Sequence, residues 1–319
     1  MWPPADDCSA RQASPGEPMI PIRQMAAPGY YSVPEEFGRL IDKLDRLLRL
    51  RILRTFNGTR PVSERRYPTL LAMEALRRSG YPVHFPNLIS VTAHIDDPNA
   101  VGPGEAASAL AHHDPCSLGL FALSDAVLPP TMCLHIYEQF RLDRAIPDDY
   151  PVVSARGPAF RREVDTADPL KRLSEFNIRE CVFFGDREGV WRNREAAQEM
   201  AVSVAVDIGL PWRLALATDA FFASPGSDRN RRIQRMTKAK YELLCPAGDG
   251  AEVAVASFNY SGRKFVESFD LNAGPRVVSG CFGFGLERMA MVLARRHKTV
   301  GAADAVLTRV IDRDLRYGE

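Results

Sequence analysis

The chain has almost no charge of one sign to spare: 41 Lys and Arg stand against 40 Asp and Glu, a formal net charge of +1. A balance that close excludes attraction of nucleic acid by the chain as a whole, so any basic surface has to be local. Long apolar runs are lacking too, and no stretch approaches the roughly 18 unbroken apolar residues of a membrane span. The beginning lacks the basic region and apolar run of a secretory signal, so a soluble, cytoplasmic protein is expected. Cysteine is sparse, at positions 8, 116, 133, 181, 245 and 281, without CxxC spacing. In a reducing compartment such residues are core thiols or metal ligands rather than disulfides. There is no internal repeat and no low-complexity tract.

What is present begins with prolines at 3, 4, 15, 18, 21 and 28 among small polar residues. Residues 1–30 have too little apolar periodicity for a core and are expected to be a flexible leader. Ser32, Pro34 and Glu35 form a capping-box pattern. Behind it Phe37, Leu40, Ile41, Leu44, Leu47, Leu48 and Ile52 share one helical face, which predicts an amphipathic helix to about Thr55, about 33 Å long at about 1.5 Å per residue. Residues 31–60 are thus read as an N-terminal helical segment. A shorter helix from Pro68 to the Gly80 stop, a strand through Phe85 to Val91, and a helix from Arg194 to Ile208 closed by Gly209 and Pro211 follow from the same signals.

Two constellations carry chemistry. Near the end, Gly283, Phe284, Gly285, Leu286, Glu287 and Arg288 lead into an apolar helix, a glycine corner that sets an arginine at its mouth. Upstream, Phe160, Arg161, Arg162 and Glu163 precede a polar loop and then Arg172, Leu173, Ser174, Glu175 and Phe176. In that order and separation the two resemble motifs 2 and 3 of the class II aminoacyl-tRNA synthetases. The segment LPPTMC, Leu128 to Cys133, resembles seryl-tRNA synthetases in particular, and the resemblance extends from there to the C-terminus. It implies an α+β fold over 61–319, a mainly antiparallel sheet flanked by helices, and a homodimer built through a helix and strand near a proline.

An amino acid carboxylate that attacks the α-phosphate of ATP needs positive charge where negative charge develops, and guanidinium groups contact phosphate oxygens in pairs. The resemblance gives Arg161 that role. It also implies that Glu163, Arg172 and Leu173 hold the nucleotide, that Phe176 stacks on adenine, that Arg288 covers its other face or reaches the γ-phosphate, and that Glu252 helps bind Mg2+. Spacing alone leaves Phe176 equally readable as a core aromatic.

Cys133, Glu180 and Cys281 fall where class II synthetases line the amino-acid pocket. Two thiolates and a carboxylate suit one Zn2+ per chain, with a fourth position open to an α-amino group. The set resembles that of methanogen-type seryl-tRNA synthetases and of their short relatives, the amino acid:[carrier protein] ligases. Without the resemblance, the same residues would be core thiols and a surface acid.

No long antiparallel arm for tRNA is visible, so tRNA is not the expected partner. The expected reaction activates glycine or alanine as the aminoacyl-adenylate and passes it to the phosphopantetheine thiol of an acidic carrier protein. Ala256, read as a pocket wall, leaves little room for polar recognition. The run from Ser227 to Lys240 holds Arg229, Arg231, Arg232, Arg235, Lys238 and Lys240 against Asp228 alone. It is either a solvated helix face or the patch that meets the carrier. A minimal tRNA synthetase and a non-catalytic regulatory paralogue are the other functions these residues allow.

Overall fold

The computed structural model describes residues 20, 22–25, 29–58, 60–97, 102, 104, 105, 108, 119–146, 149–163, 172–219, 227–248 and 250–316. Cys8, Cys116 and most of the expected leader lie outside them. Helix α1, Glu35–Phe56, follows from its apolar spacing: every residue assigned to its inner face, and Phe56 as well, is buried. Its start departs from the sequence reading. Pro34 is the N-cap with no side-chain cap, because Ser32 belongs to a short strand and its hydroxyl donates to the Arg23 carbonyl at 3.4 Å.

That strand, β2 (Tyr31–Ser32), pairs antiparallel with β1 (Arg23–Gln24). Ile20 and Tyr31 pack against the main core, so the chain before residue 31 contributes to it.

After α1 and Pro61 comes β3, Val62–Arg65, which joins a seven-stranded sheet in the order β3-β7-β8-β12-β11-β10-β9. Here β7 is Val152–Phe160, β8 Glu175–Gly185, β9 Arg213–Leu216, β10 Lys240–Pro246, β11 Glu252–Gly262 and β12 Val278–Gly285. Only the β3–β7 pair is parallel.

Helices cover one face of the sheet. There α1, α5 (Arg187–Asp207), α8 (Leu286–Arg296) and α9 (Val300–Arg316) bury Phe183, Phe258, Phe282 and Phe284 in a shared core. Helix α5 starts earlier than expected, at Arg187, because Asp186 caps it by accepting from the Gly189 amide at 2.7 Å. It stops at Gly209 as predicted, with φ +73°. A buried ion pair fastens α1 to the sheet: Asp45 accepts from both Nε and Nη2 of Arg179, the latter at 2.9 Å, and Ser154 accepts from Nη1 at 3.0 Å. Removing Asp45 alone would strand a buried guanidinium, a loss on the order of 3–5 kcal/mol.

The opposite face carries α2 (Met73–Arg78), α3 (Tyr81–His84), α4 (Cys133–Asp143), α7 (Lys264–Ser268) and a small sheet in the order β4-β6-β5, with β4 Leu71–Ala72, β5 Ser90–Ile95 and β6 Phe121–Leu128. The expected helix from Pro68 to Gly80 is thus divided between β4 and α2, and the expected strand from Phe85 to Val91 begins only at Ser90, because Pro86–Leu88 form a 3-10 turn. A second core gathers under it around Tyr137, Phe184, Phe269 and Val127.

Candidate active site

The functional side chains collect on this second face, toward the N-terminal end of α4. Register fixes who meets whom: Cys281 of β12 pairs with Asn259 of β11, Gly283 with Ser257, and Gly283 on its other side with Glu180 of β8. Directly opposed residues of antiparallel strands share a face, so Glu180, Cys281, Ser257 and Asn259 form one continuous floor. Gly283 keeps that floor flat, because a Cβ there would come 3.0 Å from Ile178 Cδ1 and 3.5 Å from Glu180 Cγ.

Cys133, Glu180 and Cys281 are brought together as the sequence suggested. One ligand atom from each lies within 4.8 Å of the others, and all three residues are buried. Cys133 opens α4, and Glu180 holds that opening in place. Its Oε2 accepts from the Met132 and Cys133 amides, both at 2.9 Å, and from Thr131 Oγ1 at 2.5 Å. A carboxylate at a helix start satisfies amides that have no partner within the helix and complements its dipole.

Asn259 Nδ2 donates to Cys281 Sγ at 3.6 Å. The Cys133 thiol is pushed well above its ordinary range by its hydrogen bond with Cys281 and by burial. A bound cation reverses that preference by favouring thiolate. Ligand atoms of a tetrahedral site with bonds of about 2.0–2.3 Å stand under ~4 Å apart, so small side-chain rotations close this set around a divalent ion.

Arg161, just past β7, donates through Nε to the Pro130 carbonyl at 3.2 Å, and its guanidinium carbon lies 5.2 Å from the centre of the Phe176 ring. Phe176 is partly buried and packs on Met132, Ala159 and Ile178, so it has a core side and an open side. Glu163 and Arg172 form an ion pair at 2.7 Å, and Leu173 is buried beside them in sequence. Arg288, at the start of α8, donates to the Ala254 carbonyl at 2.9 Å. Its pKa is lowered to about 10, first by burial and then by Arg161. Two arginines that repel each other in a half-buried space make a place for an anion.

Two residues fall elsewhere than expected, and one irregularity explains the first. Ala256 does not line the floor; it packs in the helical core on the other face, paired with Leu243 and Phe284. Counting by twos from Glu252 puts it on the floor, but β10 skips a residue: Leu244 pairs with Ala254 while Leu243 pairs with Ala256, leaving Val255 as a bulge. A single extra residue reverses strand parity, and Ser257 takes the floor position instead. Glu252 lies at the far, exposed end of its strand, where both carboxylate oxygens accept from Arg213. The structure does not bring it to the arginines. The acid facing Arg288 from this side is Glu242, which raises the arginine's pKa alongside Glu163.

Other polar residues join the site that sequence reasoning did not single out. Lys240 donates to Asp219 at 2.7 Å and pairs with Glu242 at 3.0 Å. Burial pushes the Lys264 ammonium of α7 down, against the pull of Asp219 and Cys133. Tyr81 of α3 is raised by burial and feels Arg161, Glu163, Asp219 and Cys133. Asp219, Tyr81 and Lys264 come from short, non-periodic segments with no local signature, and Lys240 was read with the basic run rather than with the site.

The basic run forms α6, Ser227–Met236, and continues to Lys240. Arg229, Arg232 and Arg235 are exposed, with Ile233 46% and Met236 78% exposed beside them, while Lys240 points into the site and leaves the patch. Gln234 ties the helix to the site through two hydrogen bonds with Asp219, at 2.7 and 2.9 Å.

This architecture is the catalytic fold of the class II aminoacyl-tRNA synthetases. The M. kandleri seryl-tRNA synthetase (SerRS), solved in complex with A. aeolicus tRNASec, superposes with a TM-score of 0.75 at 21% identity, over 93% of this chain and 59% of that one. By sequence, the chain is 27% identical over 297 residues to amino acid–[acyl-carrier-protein] ligase 1 of Bradyrhizobium diazoefficiens, covering 87% of this chain and 83% of the relative. Ligase 2 of that organism is 28% identical over 312 residues, 92% of this chain and 84% of the relative. A type-2 serine–tRNA ligase of Methanocaldococcus jannaschii is 32% identical over 170 residues, 51% of this chain and 32% of the relative. No family model matches. No helix among the described residues is long and apolar enough to cross a membrane.

Proposed function

We propose that the protein is an amino acid:[carrier protein] ligase that activates glycine or alanine with ATP and transfers the aminoacyl group to the phosphopantetheine thiol of a carrier protein. The observation that carries the reading is that two sets of groups adjoin: Tyr81 feels Arg161 and Cys133 together, Arg288 feels Arg161, and Cys133 converges with Glu180 and Cys281. Similarity to two relatives named as such ligases over most of the chain supports the acceptor.

In the first step a carboxylate oxygen of the amino acid attacks the α-phosphorus of ATP and pyrophosphate leaves. Arg161 and Arg288 hold the phosphates and offset the charge that builds there. Leu173 and Phe176 position adenine, and the Glu163–Arg172 pair closes the nucleotide side. Mg2+ would travel with the phosphates, with Glu242 the acid placed to meet it rather than Glu252. Cys133, Glu180 and Cys281 would hold a Zn2+ ion, which would supply a Lewis acid for the neutral α-amino group. Ser257 and Asn259 supply the floor beneath the amino acid. In the second step the thiol sulfur attacks the carbonyl carbon, a thioester forms, and AMP leaves.

The carrier meets the exposed arginines of α6, whose anchor on Asp219 places them beside the site. A homodimer belongs to the same reading. Pyrophosphate exchange measured across the twenty amino acids, followed by loading of holo-carrier proteins, tests the reading: activation of glycine or alanine and thioester formation are expected. A second reading, aminoacylation of tRNA, is favoured by the similarity to a serine–tRNA ligase over half the chain. Charging of total tRNA with serine by the purified protein would establish it in place of the first.

A further inference from the structure

The residues before α1 reach the nucleotide side of the site. Ser174, buried and lying between Leu173 and Phe176, is bonded through its backbone on two sides. Its carbonyl accepts from the Arg161 amide at 2.9 Å, and its own amide donates to the Gly29 carbonyl at 2.9 Å. Gly29 is buried at the turn of the β1–β2 hairpin, where the Met25 amide donates to the Tyr30 carbonyl at 2.9 Å.

Only glycine fits there. Its φ is +85°, and a Cβ would lie 2.2 Å from Ser174 Oγ, 2.7 Å from Ser174 N and 2.8 Å from Ser174 Cβ. The hairpin then packs Ile22 and Tyr31 around a cavity of about 210 Å³ that also includes Phe37, Leu173, Phe176 and Glu287. Sequence separation hides this contact, since Ser174 stands 145 positions after Gly29.

We infer that Gly29 is a positioning residue for the nucleotide site: the N-terminal hairpin, seated on Ser174 through a glycine contact, sets where Leu173, Phe176 and Arg161 stand. The inference rests on the assignment of those three residues to ATP. A side chain at 29 moves Ser174, and Leu173 beside it and Phe176 two residues on are nucleotide contacts by that assignment. Cys133, Glu180 and Cys281 do not depend on the hairpin, so amino-acid binding is spared.

Gly29→Ala in the full chain tests it, with Gly38→Ala as the control, because a Cβ at Gly38 meets nothing within 4 Å. Gly29→Ala should weaken binding of a non-hydrolysable ATP analogue by about tenfold, equivalent to about 1.4 kcal/mol of contact. The amino-acid KM, the metal content and the behaviour of Gly38→Ala should be unchanged. Equal ATP affinity in Gly29→Ala and wild type overturns the inference, as does a parallel loss of ATP and amino-acid binding. A wild-type measurement guards against a variant that fails to fold. The ATP analogue should slow amide hydrogen exchange at 30–32 together with 172–176, and protection of the second segment alone overturns the inference. Phe176→Ala separates the two assignments. Unchanged ATP affinity there sinks the nucleotide assignment and the inference with it, whereas weakened affinity there beside a normal Gly29→Ala sinks the inference alone.

Discussion

The guanidinium of Arg161 covers the Phe176 ring at 5.2 Å, the very side chain assigned to stack on adenine. The two cannot occupy the same ring face together. Crystals grown with a non-hydrolysable ATP analogue should show the guanidinium moved off the ring and onto phosphate; an analogue bound with the 5.2 Å contact intact would disprove the stacking role.

Arg161→Ala and Arg288→Ala should each reduce pyrophosphate exchange by on the order of 10²-fold, about 3 kcal/mol in the transition state, with circular dichroism unchanged. Near-normal exchange in either folded variant would remove the arginine from the mechanism.

One zinc per chain should co-purify, and Cys133→Ser or Cys281→Ser should lower zinc content and activity together. Cys245, buried in the helical core away from the site, is the control: its serine variant should keep its zinc. Elemental analysis that finds active protein free of zinc would leave the two thiols as pocket packing.

The bulge separates stability from selectivity in β11. Ala256→Val overfills the core and should lower stability by about 1–3 kcal/mol without changing which amino acid is activated. Ser257→Val, on the floor, should alter the ranking of amino acids in the exchange assay. If Ala256→Val changes the ranking and Ser257→Val does not, Ala256 faces the substrate after all.

Arg231→Glu with Arg235→Glu should slow aminoacyl transfer to an acidic carrier at low salt and leave adenylate formation intact. The wild-type transfer rate should fall as salt rises, since exposed charges steer encounter over about 10 Å at 0.1 M ionic strength. Equal transfer by variant and wild type would place the carrier elsewhere.

What was legible in the sequence had local expression. The face of α1 could be read residue by residue because a helix buries a fixed period, and Cys133, Glu180 and Cys281 could be gathered because the resemblance implied a shared pocket for them. What was not legible depended on partners. Ser32 signals a helix cap, yet strand pairing with Arg23 claims it. Glu252 carries the right charge, but Arg213 on a neighbouring segment holds it at the strand's exposed end. Tyr81, His84 and Lys264 come from short helices whose only pattern is where the tertiary fold puts them, and His84 is lowered by burial and by Lys264 in a contact no spacing foretells.

Val255 is one residue more than its partner strand can match, so the two halves of β11 run in opposite phase. Were Val255 paired into the ladder instead, Ala256 and Phe258 would come to lie on the floor, and Ser257 and Asn259 would sink among the phenylalanines. Point substitutions change this floor one side chain at a time, whereas a residue gained in β10 opposite Val255 would absorb the bulge and exchange the faces of half of β11 in a single event.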